Sequence, residues 1–146
     1  IKKVPLKQET KALSLYLEIE KIRFEDRLTV DWKVSEDAQQ ALVPSLLLQP
    51  LIENSIKYAI AACDEGGIIS VSAETFGHDL LLEVKDNGPG LDNGHYNTSQ
   101  KGVGVGITNI KERLQNLYDD HSFVLSSLEP NGLKVNIRIP LEFEAE

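Results

Sequence analysis

The chain has 146 residues, 41% of them apolar, which is enough for one domain with a real core and too little for two. Charged residues make up 26%, so composition argues against disorder, and a net charge of -8 (23 acidic against 15 basic residues) argues against a nucleic-acid footprint or an anionic membrane surface. A single cysteine, Cys63, excludes an internal disulfide and a cysteine-built metal cage, and no apolar run reaches the roughly 18 residues of a spanning helix. Nothing at the start resembles a signal peptide, and the lack of methionine leads us to expect an excised piece of a longer protein.

Residues 1–7 are expected to be short and extended, punctuated by Pro5. From about Gln8 to Asp26 no glycine or proline interrupts a segment rich in alanine, leucine, glutamate and lysine, which predicts a helix. Leu13, Leu17 and Phe24 with Leu15, Ile19 and Ile22 are expected to form one broad apolar face. Leu28 to Val34 switches to period two and predicts a strand. Pro44 reads as the first residue of a second, deeply buried helix running to about Ala61, with Pro50 predicting a kink or an early break inside it. Ile68 to Phe76 and Leu80 to Asp86 alternate and form a hairpin through Gly77-His78-Asp79. A polar, irregular stretch, Leu91 to Lys101, follows between glycines; Ile107 to Tyr118 returns to helical period, and Ser122 to Leu128 with Leu133 to Leu141 closes the chain as a second hairpin. This order predicts an α+β fold, a two-layer sandwich with a mixed, mostly antiparallel sheet covered on one face by three helices.

Three signals carry chemistry. Glu53-Asn54-Ser55-Ile56-Lys57 puts polar groups into an otherwise greasy helix, where an unpaired charge is costly. Asn54 offers a neutral carbonyl oxygen to a hard cation and Lys57 lies less than a turn away, although a stripe facing water explains the pattern equally well. Asp86-Asn87-Gly88-Pro89-Gly90 ends a strand; a tight turn accounts for both glycines, and a carboxylate held there can also accept a hydrogen bond from an exocyclic amine. Gly102-Val103-Gly104-Val105-Gly106 stands directly before a helix, so backbone N–H groups and the helix dipole can converge on a phosphate. The spacing is neither the dinucleotide fingerprint nor a Walker loop.

Together, Asn-x-x-Lys in a helix, Asp-x-Gly-x-Gly after a strand, a polar lid and Gly-x-Gly-x-Gly opening a helix resemble the Bergerat ATP-binding fold of gyrase B, Hsp90, MutL and histidine kinases. A narrower resemblance, to sensor histidine kinases of the LytS/YehU type, runs from about Val4 to Pro140. It rests on Val4-Pro5-Leu6 with Glu9, Tyr16-Leu17-Glu18-Ile19-Glu20, Arg23-Phe24, Arg27-Leu28, Leu48 to Asn54 and Gly106 to Leu114. Tyr58 departs from that pattern, standing where the family often has histidine, and the lid lacks the phenylalanine box of the commoner histidine kinases.

The resemblance implies that Asn54 ligates a Mg²⁺ bridging the ATP phosphates, that Lys57 neutralises phosphate charge, and that Glu53 helps orient the metal's water shell. It implies that Asp86 holds the adenine amino group with Gly88 and Gly90 close to the base, and that Lys101, Gly102, Val103, Gly104, Val105 and Gly106 wrap the phosphates, supported by Asn109. Residues 1–27 would be a linker and N-terminal helix leading from a missing histidine-acceptor region, and 28–146 the ATP-binding domain. The γ-phosphate would go to a histidine on the dimerisation segment of a homodimeric parent, and onward to a response regulator of LytTR type; no nucleic acid is expected. The domain would be cytoplasmic, its parent anchored in the bacterial inner membrane. His78, His95 and His121 read as solvated surface residues rather than acceptors. A self-contained ATPase switch or an anti-sigma-type serine kinase remains the alternative; both resemble each other in a glutamate four residues before the metal-binding asparagine, where this chain has Pro50.

Overall fold

The computed structural model describes residues 2–61, 63–88 and 103–144, the backbone alone for 103–106. Five strands form the main sheet: β2 (Leu28–Val34), β4 (Gly67–Phe76), β5 (Asp79–Asp86), β6 (Ser122–Ser127) and β7 (Leu133–Pro140), in the order β2-β4-β5-β7-β6. All neighbours are antiparallel except β2 and β4, which run parallel with Leu28 opposite Gly67. One face of the central strands is apolar by strict alternation: Ile69, Val71 and Ala73 on β4, Leu80, Leu82 and Val84 on β5, and Leu133, Val135, Ile137 and Ile139 on β7 are all buried.

Helices α1 (Leu6–Phe24), α2 (Gln49–Ser55) and α3 (Val103–Leu117) supply the other layer. Leu6, Leu13 and Leu17 from α1, Leu51 and Ile52 from α2, and Ile107, Ile110 and Leu114 from α3 join the strand residues in one core cluster. The two-layer architecture is therefore the expected one. The local boundaries differ in three places.

First, Pro44 does not start a helix. Leu42–Pro44 is a short strand, β3, paired antiparallel with β1 (Lys3–Pro5) as a second, two-stranded sheet. The helix begins only at Gln49, so Pro50 lies in its first turn, where a missing N–H costs nothing and no kink results. After Ser55 the helix widens into a π-helical segment, Ile56–Ala61. Arg27 satisfies carbonyls at its end, donating from Nη2 to Ile60 O at 3.2 Å and Cys63 O at 2.9 Å.

Second, α3 begins at Val103, so Gly104 and Gly106 are helical rather than part of a loop that ends at Ile107. Third, the broad apolar face expected of α1 is two faces. Leu13, Leu17 and Phe24 are buried, whereas Leu15, Ile19 and Ile22 are 57%, 65% and 81% exposed. At about 100° per residue the two sets lie on nearly opposite sides of the helix.

Candidate functional site

Asp86 is where the alternation of β5 becomes chemical. Leu80, Leu82, Val84 and Asp86 all face the core, and Asp86 lies in register between Ile69 and Leu133. It is 4% exposed, and a carboxylate there needs partners. Its Oδ2 accepts the Ser55 hydroxyl hydrogen at 2.8 Å, and its Oδ1 accepts the Gly88 N–H at 2.9 Å. The turn after it is fastened from two further sides. Asn87 Oδ1 accepts the Ile68 N–H at 2.8 Å, and Asn131 Nδ2, from the β6–β7 turn, donates to the carbonyls of Asn87 and Gly88. Gly88 must be glycine: a Cβ there would lie 2.7 Å from Ala59 Cβ and 2.8 Å from Ala59 Cα.

Ser55 joins this turn to α2, and the residues around it follow. Asn54 is half-buried, and its Nδ2 is buried with no hydrogen-bond partner among the described residues. An amide left unpaired on the residue before Ser55 fits a ligand with oxygen atoms, because the side chain can present either its N–H or its carbonyl oxygen. Lys57 is exposed, its ammonium resting 5.2 Å from the centre of the Tyr58 ring. Tyr58 thus gives the lysine a perch that a phosphate can compete for. Glu53 is exposed; the pKa of the Tyr16 phenol on α1 is raised chiefly by burial, with Glu20 and then Glu53 adding to it. Pro50 lies one turn before Asn54 in the same helix and offers no base.

The remaining expected residues are less defined. Asn109 is exposed on α3, six residues beyond its start at Val103. Val103, Gly104, Val105 and Gly106 belong to that helix by backbone, while Gly90, Lys101, Gly102, the segment Leu91 to Lys101 and His95 lie outside the described residues. His78 is exposed in the β4–β5 turn. His121 is not simply solvated: it is half-buried, and its Nδ1 donates to Tyr118 O at 3.0 Å, just past the end of α3.

A buried carboxylate closing a strand is thus joined through Ser55 to the helix that bears Asn54 and Lys57, on a sheet covered by three helices. Residues 40–143 match the histidine kinase-, DNA gyrase B-, and HSP90-like ATPase model. The chain belongs to this family. It is 33% identical over 149 residues to the sensor protein LytS of Enterococcus faecalis and 31% identical over 143 residues to the sensor histidine kinase BtsS of Escherichia coli K12. Each alignment covers 97% of this chain and 25% of the relative, so the chain spans about a quarter of the length of these curated relatives. Its fold is that of the catalytic domain of histidine kinase ThkA, with a TM-score of 0.76 at 15% identity over 95% of this chain and 96% of that one. ThkA has also been solved in complex with the response regulator protein TrrA.

Two side chains that build this cluster had no role in the sequence reading. Ser55 was visible only as part of a polar cluster, although its place three residues after Ile52 on the buried face marks it as inward-pointing. Asn131 reads as a hairpin-turn residue, and only the approach of the β6–β7 turn to residues 87–88 gives it a second task.

Proposed function

We propose that this chain is the ATP-binding catalytic domain of a two-component sensor histidine kinase and donates the ATP γ-phosphate to a histidine outside it. The observation that carries the reading is the buried Ser55–Asp86 hydrogen bond, which joins two motifs 31 residues apart into one site. In this reading Asp86 accepts from the adenine amino group while Gly88 and Gly90 let the backbone approach the base. Asn54 and Lys57 face the phosphates, and residues 101–106 close over them with Asn109 behind.

A Mg²⁺ ion fits this site as a partner of the nucleotide rather than of the protein. Among the described residues no group of three or more histidines, cysteines or carboxylates could hold a metal. In this reading the ion would take its ligands from phosphate oxygens, water and the Asn54 carbonyl oxygen, with Glu53 at its water shell. When bound it neutralises phosphate charge. The protein's own part is to bind and orient: the acceptor histidine supplies its own nucleophilic nitrogen, so Pro50 in place of a basic glutamate is no loss. That substitution argues against the self-contained ATPase and serine-kinase alternatives.

The partner we propose is the histidine-bearing dimerisation segment of a homodimeric parent, with a response regulator of LytTR type as the next acceptor. Three quarters of the relatives' length lies outside this chain, and Leu15, Ile19 and Ile22 leave on α1 an exposed apolar stripe that a helix of the parent would cover. Residues 1–27 would then be the linker and 28–146 the ATP-binding domain. No helix among the described residues is long and apolar enough to cross a membrane. We place the domain on the cytoplasmic side of a parent anchored in the bacterial inner membrane.

The test is radiolabelled ATP with the chain alone, with the histidine-bearing segment added in trans, and with Asn54→Ala. The expected result is Mg²⁺-dependent nucleotide binding, very slow hydrolysis by the chain alone and label on the added histidine. Rapid Asn54-dependent hydrolysis by the chain alone would replace this reading with the ATPase switch.

A further inference from the structure

Three polar side chains are buried among the described residues, and two of them, Ser55 and Asp86, belong to the nucleotide site. The third is Glu9 on α1, 5% exposed and remote in sequence from the three motifs that carry chemistry. Burial raises the pKa of its carboxyl, opposed by the backbone N–H groups of Leu46 and Leu47 and by the Arg113 guanidinium. The contacts are specific. Glu9 Oε2 accepts the Leu46 N–H at 2.9 Å. The same short loop is held by Arg113 of α3, whose Nη2 donates to Ser45 O at 2.6 Å and whose Nη1 donates to Leu46 O at 3.2 Å.

The loop so gripped is residues 45–48, between β3 and α2. Leu46 adopts φ 60, a left-handed conformation that disfavours a residue with a Cβ, with its side chain 59% exposed. Nothing in the leucine favours that geometry; the carboxylate on its N–H and the guanidinium on its carbonyl do. Leu47 and Leu48 then plunge into the core at 0% and 1% exposure, and α2 starts at the next residue. Asn54 is six residues, about 9 Å of helix, beyond Leu48, and Arg113 is ten residues, about 15 Å, beyond the start of α3 in the glycine segment.

We propose that Glu9 and Arg113 are positioning residues for nucleotide binding: by gripping residues 45–48 from α1 and α3 they set the spacing of α2 and α3. The affinity of the site then depends on α1, which supplies none of the residues assigned to the nucleotide. This rests on the nucleotide reading above.

The experiment titrates a fluorescent ATP analogue, with Mg²⁺, into the wild-type chain and into Glu9→Ala, Glu9→Gln, Arg113→Ala, Arg113→Lys and the double alanine variant. Urea unfolding of each is measured in parallel. Leu125→Ala, on the far β6 edge, serves as the stability-matched control. The expected loss of affinity is about five- to thirty-fold for either alanine variant. Part of it should be recovered in Glu9→Gln, which keeps an acceptor for the Leu46 N–H. The double variant should be little worse than either single, because both residues act on one loop. Arg113→Lys, which keeps the charge but cannot span two carbonyls, should also weaken binding, and it carries the test if Glu9 variants fail to fold. Unchanged affinity in folded Arg113 variants, or affinity that follows the urea midpoint equally in Leu125→Ala, would overturn the proposal. A wild-type chain that binds no ATP analogue would instead remove the nucleotide reading and this inference with it.

Discussion

Ser55→Ala isolates the joint between α2 and the strand-end turn. The substitution removes one oxygen and changes little else: Ser55 is 3% exposed, so no solvent replaces the lost donor easily, and the alanine methyl opens little space. What disappears is a 2.8 Å O–H···O bond to a buried carboxylate. Hydrogen bonds to charged groups contribute about 1.5–3 kcal/mol, and the Gly88 N–H remains on the other oxygen, so we expect a loss of about 2 kcal/mol in unfolding free energy. Nucleotide affinity should fall as well, because Asp86 and the Asn54–Lys57 helix are no longer tied together. Asp86→Asn offers the comparison: with its amide oxygen on the Gly88 N–H, its amide nitrogen donates to the Ser55 oxygen, so a weaker neutral bond replaces the one to a carboxylate. In a double-mutant cycle measured by urea unfolding, Ser55→Ala should therefore cost much less in the Asp86→Asn background than in the wild type. Calorimetric titration with ATP and GTP supplies the second readout. A Ser55→Ala chain with wild-type stability and wild-type ATP affinity would refute the reasoning, because the bond would then hold nothing together.

Gly88→Ala forces a methyl within 3 Å of the Ala59 backbone, and overpacking of this kind costs typically 1–3 kcal/mol, so thermal unfolding should move down while the more open Gly77→Ala, with nothing near its Cβ, suffers only from its φ of 61. Glu9 gives a pH signature. Its folded pKa lies above the unfolded value, so between the two the native state holds more protons than the unfolded state, and the cost of burying the charged form is present above the folded pKa and gone below the unfolded one. The stability of wild type relative to Glu9→Gln should thus rise as pH falls through the region just above the ordinary glutamate range. Asp37, held low by Ser35 and Thr75, and Asp120, held low by Arg138, push total stability the opposite way on acidification, which is why the difference between the two proteins is the quantity to measure. A flat difference curve would contradict this account of Glu9.

The parts legible in the sequence are those whose cause is local. The β4–β5 and β6–β7 hairpins follow from period-two alternation broken by glycine turns, and Asp86 continues that alternation onto the core face of β5. The order of the asparagine, aspartate and glycine motifs was enough to point to the family. Where hydrogen bonds come from distant chain, periodicity misleads. Leu42–Pro44 looks like the start of a greasy helix, but its backbone pairs with Lys3–Pro5, and this moves Pro50 from a helix interior to a helix start. The apolar residues of α1 are countable in the sequence, yet only the folded chain separates Leu13 and Leu17, inside, from Leu15, Ile19 and Ile22, outside. Likewise β2 could not be known to run parallel to β4, nor Glu9, Ser55 and Asn131 to have partners 37, 31 and 44 residues away. The sequence by itself determined the strands of the main sheet and the motifs, because pleat, turn and composition act over a few residues. The tertiary structure decided which apolar face is covered and which polar atoms meet, because burial and hydrogen-bond satisfaction are settled only when distant segments share one core.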